Sequence, residues 1–333
     1  MHISRFNVPA ARKSGMKDWG TNDHLRASRG LTVPLHRPAG CDWVETMIAP
    51  GELSIIIVTY NSAHVAGMAL ASLPQDCEII CVDNASTDQI DDVLNGRPVK
   101  KIRNTVNRGY GAACNQGALA ASGRFLFFMN PDVTVEPNGL SILMEATRRY
   151  TDCRVFIPRT MTPNGRLWFD DRSGADRMLA KHAEVTTRSL AGDCCVRFAD
   201  GGAFLIDRQL FLDIGGFDEN FFLYYEDDDF SHRIVQRGEP IIVVNDAVVT
   251  HAIGNSVAKN PRNLIARFYA KKASEIYFKR KYGIAYDPFK DGAILALKAL
   301  FYLVIFRQRQ FLSALGQFKA IIDNTRGIST SIN

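Results

Sequence analysis

The sequence predicts an α/β fold: a mostly parallel, Rossmann-like sheet with helices on both faces. Three observations predict it. Between residues 53 and 157, short runs rich in β-branched residues alternate with stretches long enough for helices. Several of those runs end in polar residues, namely Thr59-Tyr60-Asn61, Asp83-Asn84 and Asn130-Pro131-Asp132, at the sheet edge where such folds bind ligands. At 333 residues and 46% hydrophobic content, the chain can bury a core of that size.

Taken in order, residues 53–59, 78–82, 99–102, 124–129 and 154–157 read as strands, and 62–72, 89–94, 111–121 and 140–150 as helices. Beyond Asp171 the pattern changes. Residues 196–206 read as one strand interrupted by Gly201-Gly202, and 208–214 as a short helix. A carboxylate-rich helix follows over 226–237, then strands near 241–244 and 247–250 and a helix over 262–282. There is no internal repeat. Three segments result: a basic, weakly patterned extension over 1–51, a body over 52–285 with halves at 52–157 and 158–260, and a tail over 286–333.

Seven cysteines form no C-x-x-C pair, which suits reduced cytosolic thiols, and residues 1–51 hold no apolar run of signal-peptide length. Charge is unevenly spread. From Arg262 onward there are 13 Lys or Arg against 4 Asp or Glu, an excess of nine in a chain whose net charge is +5. Within that tail, the apolar run 292–306 is bracketed by Lys290, Arg307 and Arg309 and contains Lys298. It is shorter than the ~20 residues a spanning helix needs, so it either lies in a lipid headgroup region or packs as a helix on the protein. Charges interleaved with aliphatic residues argue against nucleic acid as the partner.

The acidic run Glu226-Asp227-Asp228-Asp229 stands in strongly apolar surroundings, after Phe221-Phe222-Leu223-Tyr224-Tyr225 and before Phe230. Carboxylates in a first helical turn complement its exposed amides and dipole. A helix start carrying a general base is the other reading. Asp83, closing a buried strand, is placed to accept hydrogen bonds from a ligand, while Ser86 or Asp88 can cap the next helix. The segment Asn107-Arg108-Gly109-Tyr110-Gly111 opens a helix with small residues that let a nucleotide approach the backbone. Asp132 closes the most hydrophobic strand, where a carboxylate must be paired, hydrated or metal-bound. His251 follows a strand and is either structural or a ligand. Gly201-Gly202 is either a β-bulge or a close-approach point, and Trp168 either stacks on a sugar or packs in the core.

Together, Ile55-Ile56-Ile57-Val58-Thr59-Tyr60-Asn61, Val82-Asp83-Asn84-Ala85-Ser86, Asn107-Arg108-Gly109, Asn130-Pro131-Asp132, Gly215-Gly216-Phe217-Asp218, Tyr225-Glu226-Asp227 and His251 resemble the ordered motifs of family-2 glycosyltransferases. They resemble the rhamnosyltransferase-like branch most, over about residues 53–282. The resemblance implies a GT-A fold with an acceptor-side subdomain and a helical C-terminal tail. It also implies a nucleotide-sugar donor, a divalent metal (Mg²⁺ or Mn²⁺) and inversion at the anomeric carbon. Carried over residue by residue, Thr59, Asn61 and Asp83 would contact the nucleoside, with Arg108, Gly109 and Gly111 close by. Asn130 and Asp132 stand where the family has D-x-D. The asparagine leaves Asp132 as that loop's only acid and brings in His251 as a second metal ligand. Asp227 would be the base, Gly202 would line the sugar pocket, Glu226 and Asp229 would orient the site or bind acceptor hydroxyls, and Trp168 would face the acceptor.

The expected activity is transfer of a sugar, rhamnose from dTDP-rhamnose first, to a glycan or lipid-linked glycan in surface polysaccharide synthesis. Its expected place is the inner face of the cell membrane, with the tail against anionic lipid. A UDP-hexose or UDP-N-acetylhexosamine donor is the alternative. A sugar nucleotidyltransferase is less favoured, because Thr59-Tyr60-Asn61 replaces the Gly-rich basic loop it needs, and retention of Asp227 opposes a nonenzymatic sensor. The oligomeric state stays open.

Overall fold

The computed structural model describes residues 48–49, 51–172, 174–179, 190–254 and 260–326. Almost all of the 1–51 extension lies outside these residues, as do Cys41, Asn255 and Ser256. In chain order the elements are β1 (Leu53–Thr59), α1 (Ala63–Ala71), β2 (Glu78–Asp83), α2 (Ile90–Leu94), β3 (Lys100–Arg103), α3 (Tyr110–Ala120), β4 (Phe125–Met129), β5 (Val133–Val135), α4 (Gly139–Arg149) and β6 (Val155–Met161). They continue as β7 (Leu167–Trp168), α5 (Gly174–Leu179), β8 (Cys194–Val196), β9 (Ala203–Asp207), α6 (Arg208–Ile214), α7 (Glu226–Gln236), β10 (Ile241–His251), α8 (Pro261–Lys281), α9 (Pro288–Val304) and α10 (Gln308–Thr325).

One sheet runs in the order β3-β2-β1-β4-β9-β6-β10-β5. The pairs β1/β2, β2/β3, β1/β4 and β6/β10 are parallel, as expected. β9 runs antiparallel between β4 and β6, so its first residue meets the last of β4, in the register Ala203↔Met129. That reversal brings residues 200–202 to the edge where Asn130 and Asp132 emerge. β5 returns antiparallel along β10 in the register Val133↔His251, which sets Asp132 next to His251.

Every residue of β1 and β4 is buried, because helices cover both faces of the sheet. Ile55, Ile57 and Phe127 pack with Leu70 of α1 and Leu143 of α4. Ile56, Val58, Leu126 and Phe128 pack with Ala113 of α3, Phe211 of α6 and Phe230 of α7. Phe217 sits at the centre of that second layer, its ring centroid 4.8 Å from Phe230, 5.7 Å from Phe211 and 5.9 Å from Phe128. Each such ring stabilises the fold by about 1.5–3 kcal/mol, and together they fix the start of α7.

Two expectations are corrected here. The run 196–206 is not one interrupted strand: β8 pairs with β10 and β9 pairs with β4 and β6, and the chain leaves the sheet between them. The segments 241–244 and 247–250 are one strand with a register shift between Val244 and Val248.

In the tail, α10 lies against α8 so closely that a Cβ on Gly316 would come within 2.5 Å of the Ile265 carbonyl oxygen. α9 packs through Gly292, Leu295 and Ala299, Tyr302 is half-buried, and most of its other apolar residues are exposed. Among the described residues, no helix is long and apolar enough to cross a membrane.

Candidate active site

The site is organised by three consecutive residues, Asp200, Gly201 and Gly202, between β8 and β9. The Gly201 amide donates to Asp227 Oδ2 at 3.2 Å, and the Asp228 amide donates to Asp227 Oδ1 at 2.9 Å. On the other side, a Cβ on Gly202 would lie 2.9 Å from His251 Nδ1 and 2.7 Å from Asp200 Oδ1. His251 Nε2 is 3.3 Å from Asp132 Oδ1, and the Ala252 amide donates to the Asp132 carbonyl at 2.9 Å. Asp227 and the Asp132–His251 pair therefore flank one two-glycine strap. Gly202 has to be glycine because imidazole and carboxylate already fill the Cβ position. Gly202→Ala is expected to lower turnover on the order of 10²-fold by displacing His251, with the fold retained; rate assays beside thermal melting check it.

Asp200 was not anticipated, since its only sequence signal is a carboxylate before the glycine pair. Its Oδ1 accepts from the Gly202 amide at 2.7 Å, and its Oδ2 accepts from Trp168 Nε1 at 3.3 Å. The indole, 46% exposed, is thus a tethered surface and not a core side chain. Tyr110 was missed as well. Its hydroxyl donates to the Gly201 carbonyl at 2.7 Å and its amide to the Phe222 carbonyl at 3.1 Å, locking the start of α3 to both the strap and the acidic loop.

That loop enters α7 through Tyr224 and Tyr225, both left-handed, with φ of 68° and 69°. Two adjacent non-glycine residues in this region store strain, and helix α8 holds them there. The Arg267 guanidinium lies 5.6 Å over the Tyr224 ring, Tyr225 packs 5.5 Å from Phe278, and the Ser274 hydroxyl donates to the Leu223 carbonyl at 3.0 Å.

Burial, then the charges of Asp228, Glu226 and Asp200, push the Asp227 carboxyl well above the usual carboxylate range. Burial also pushes Glu226 up to about 8, and its Oε2 has no hydrogen-bond partner. Two expectations change as a result. Glu226, only 5% exposed, is too deeply set to grip an acceptor. Asp229 is fully buried, bonded to Arg233 Nε at 2.8 Å, Lys281 Nζ at 2.5 Å and the Tyr282 hydroxyl at 2.8 Å, so it fastens α7 to α8 instead of facing the acceptor.

At the ends of β1 and β2, Asp83 accepts from the Ser86 amide at 3.2 Å and the Thr59 hydroxyl at 3.3 Å, with Arg103 Nε 3.3 Å away. Asn61, with φ of 51°, accepts from the Thr87 amide at 2.8 Å, tying together the loops after β1 and β2. Asn84, given no role of its own by the sequence, donates to the Gly109 carbonyl at 3.0 Å and accepts from the Arg108 amide at 3.1 Å. The Arg108 side chain is half-exposed, 3.5 Å from Glu219. Gly109 and Gly111 are also required by packing. A Cβ on Gly109 would meet the Phe222 carbonyl at 2.4 Å, and one on Gly111 would meet Phe217 Cβ at 2.9 Å. Their smallness serves packing of the acidic loop, and the space they leave is filled by protein.

Among the described residues, no group of three or more His, Cys, Asp or Glu is arranged to hold a metal. The Asp132–His251 pair still fits a hard divalent cation. It supplies one carboxylate and one imidazole, and His251 Nδ1 is buried without a hydrogen-bond partner. Mg²⁺-type ions commonly take one or two protein ligands and complete their shell from phosphate and water.

Residues 54–215 match the family described as Glycosyl transferase family 2. The chain is 26% identical over 246 residues to the N-acetylglucosaminyl-diphospho-decaprenol L-rhamnosyltransferase of Mycobacterium tuberculosis, covering 64% of this chain and 80% of that protein. It is 24% identical over 237 residues to the low-salt glycan biosynthesis hexosyltransferase Agl10 of Haloferax volcanii, covering 67% and 72%. Among solved structures, the mannosyltransferase PcManGT of Pyrobaculum calidifontis, in complex with GDP-Man and Mn²⁺, superposes with a TM-score of 0.49 at 17% identity, covering 84% of this chain and 78% of that one.

Proposed function

Because the chain belongs to the family-2 glycosyltransferases, we propose that it moves a sugar, rhamnose from dTDP-rhamnose first, onto a glycan or lipid-linked glycan with inversion. The single observation that carries this reading is the strap of Gly201 and Gly202, with Asp227 on one side and the Asp132–His251 pair on the other. The M. tuberculosis relative, named for a lipid-linked acceptor and a rhamnosyl donor, supports the choice of substrates. Surface polysaccharide synthesis at the cytoplasmic face of the membrane is the proposed setting.

Thr59, Asn61, Asp83 and Arg108 would position the nucleoside, and Asn130, Asp132 and Gly202 the diphosphate and sugar. Asp132 and His251 would hold Mg²⁺ or Mn²⁺, which when bound offsets the charge growing on the departing diphosphate. Asp227 takes the proton from the acceptor hydroxyl as that oxygen bonds to the anomeric carbon, on the face opposite the leaving group. Trp168 gives the acceptor sugar a flat surface, and Asp200 fixes its edge.

Incubation with Mg²⁺, an acceptor extract and dTDP-rhamnose, UDP-glucose or UDP-GlcNAc tests the proposal. Nucleoside diphosphate release with dTDP-rhamnose supports it, release with another donor moves the donor assignment, and no release with any donor opposes it.

The base must be ionised, and its carboxyl is raised, so kcat/KM should climb with pH across a limb lying above the usual carboxylate range. Asp200→Asn removes one neighbouring negative charge and should move that limb to lower pH. A pH–rate profile of both proteins checks the sign.

A further inference from the structure

We propose that the outer face of α9 and the turn after it form a docking surface for an anionic lipid bilayer, lying in the headgroup region without crossing the membrane. Apolar residues stand on every side of α9, interrupted beyond its first turn by Lys298 alone, yet only the stripe of Gly292, Leu295 and Ala299 is buried by protein. At 100° per residue, Leu297, Leu300, Phe301 and Val304 fall on the opposite side, where they are 58–68% exposed. The apolar surface continues into the turn, through Ile305 to Phe306, which is 93% exposed. Phe306 also holds a left-handed backbone, with φ of 55°, that a bulky residue rarely adopts. Turn geometry thus presents an aromatic ring at the tip of the α9–α10 hairpin. Contiguous apolar surface of this kind marks an interaction site.

Charge identifies the occupant. Between Asp291 and Asp323 there is no acidic side chain, while exposed Lys298, Arg307 and Arg309 edge the apolar face and Lys290 stands at its start. An apolar face rimmed by one sign of charge matches the boundary between acyl chains and anionic headgroups. Length sets the orientation. The 17 residues of α9 span about 25 Å, short of the ~30 Å hydrocarbon core. Docking does not depend on which donor or acceptor the active site takes. One consequence does rest on the acceptor class proposed above: an acceptor anchored in the same bilayer would meet the enzyme in two dimensions.

The test is flotation of the full-length protein with vesicles of phosphatidylglycerol and phosphatidylcholine, and with phosphatidylcholine alone, at about 50 mM and about 500 mM salt. Binding is expected to the anionic vesicles and to weaken in high salt. Replacing Leu297, Phe301 and Phe306 together by serine should lower the bound fraction at least about tenfold. Arg307→Gln with Arg309→Gln should weaken anionic-vesicle binding on the order of fivefold per arginine. Melting curves, and transfer to a water-soluble acceptor, should be unchanged in both variants; this separates failure of docking from failure of the enzymatic reading. Full-length wild type that ignores phosphatidylglycerol vesicles overturns the proposal, as does equal binding by the triple variant. So does a concentration-dependent dimer abolished by the serine substitutions in a protein that leaves vesicles alone, because the face would then belong to a second copy.

Discussion

Asp227→Asn is expected to lower the transfer rate by about 10²–10⁴-fold, the usual contribution of a positioned base, while nucleotide-sugar affinity stays unchanged. The substitution keeps the shape of the side chain, and the carboxamide oxygen can still accept from the Gly201 or the Asp228 amide. What it removes is the proposed proton acceptor. Stability should not fall, because Asp227 sits among Asp228, Glu226 and Asp200 and its ionised form is opposed by burial and by those charges. Calorimetric donor binding, melting curves and nucleoside diphosphate release separate the three quantities. Turnover equal to wild type would remove Asp227 as the base.

Asp132→Ala is expected to act on a different quantity, donor binding in the presence of metal. The Asp132 side chain is fully buried and 3.3 Å from His251 Nε2, at the register point where β5 and β10 meet. Without it, donor affinity measured in Mg²⁺ or Mn²⁺ should fall at least about tenfold, toward the affinity wild type shows in chelator. Binding of the nucleoside alone, through the Thr59, Asn61 and Asp83 end, should persist. The informative comparison is donor affinity with and without metal: wild type should depend on it and the variant should not. A variant that keeps full metal-dependent affinity would contradict the role given to Asp132.

Much of the fold was legible because β1, β2 and β4 are buried strands whose composition differs sharply from the helices between them. Periodicity cannot reveal pairing partners, however. Residues 196–206 read as one apolar strand, although β8 and β9 pair with different neighbours, and this hid the excursion that carries Asp200 to Gly202 and Trp168. Asp227, Asp132 and His251 stood out as polar residues at the ends of apolar runs. Asp229 looked equivalent to Asp227, since a helix start presents both. Only the approach of Arg233, Lys281 and Tyr282 from α7 and α8 shows it to be internal. Gly109 and Gly111 were legible as places needing small residues, but the Phe222 carbonyl and Phe217 that need them lie more than a hundred residues away. In the tail, α9 buries one stripe against the protein and leaves most of its remaining residues exposed, a division that composition alone does not reveal.

In the proposed arrangement, Asp132 and His251 would hold a cation against the donor diphosphate, across the Gly201–Gly202 strap from Asp227. That arrangement is tested most directly by diffraction at the manganese absorption edge from crystals grown with Mn²⁺ and a nucleoside diphosphate. An anomalous peak bonded to Asp132 and His251, with the diphosphate beside it and the Asp227 carboxylate facing the same cleft, is the expected result. A peak elsewhere, or a bound nucleotide with Asp227 opening onto a separate cavity, would contradict it.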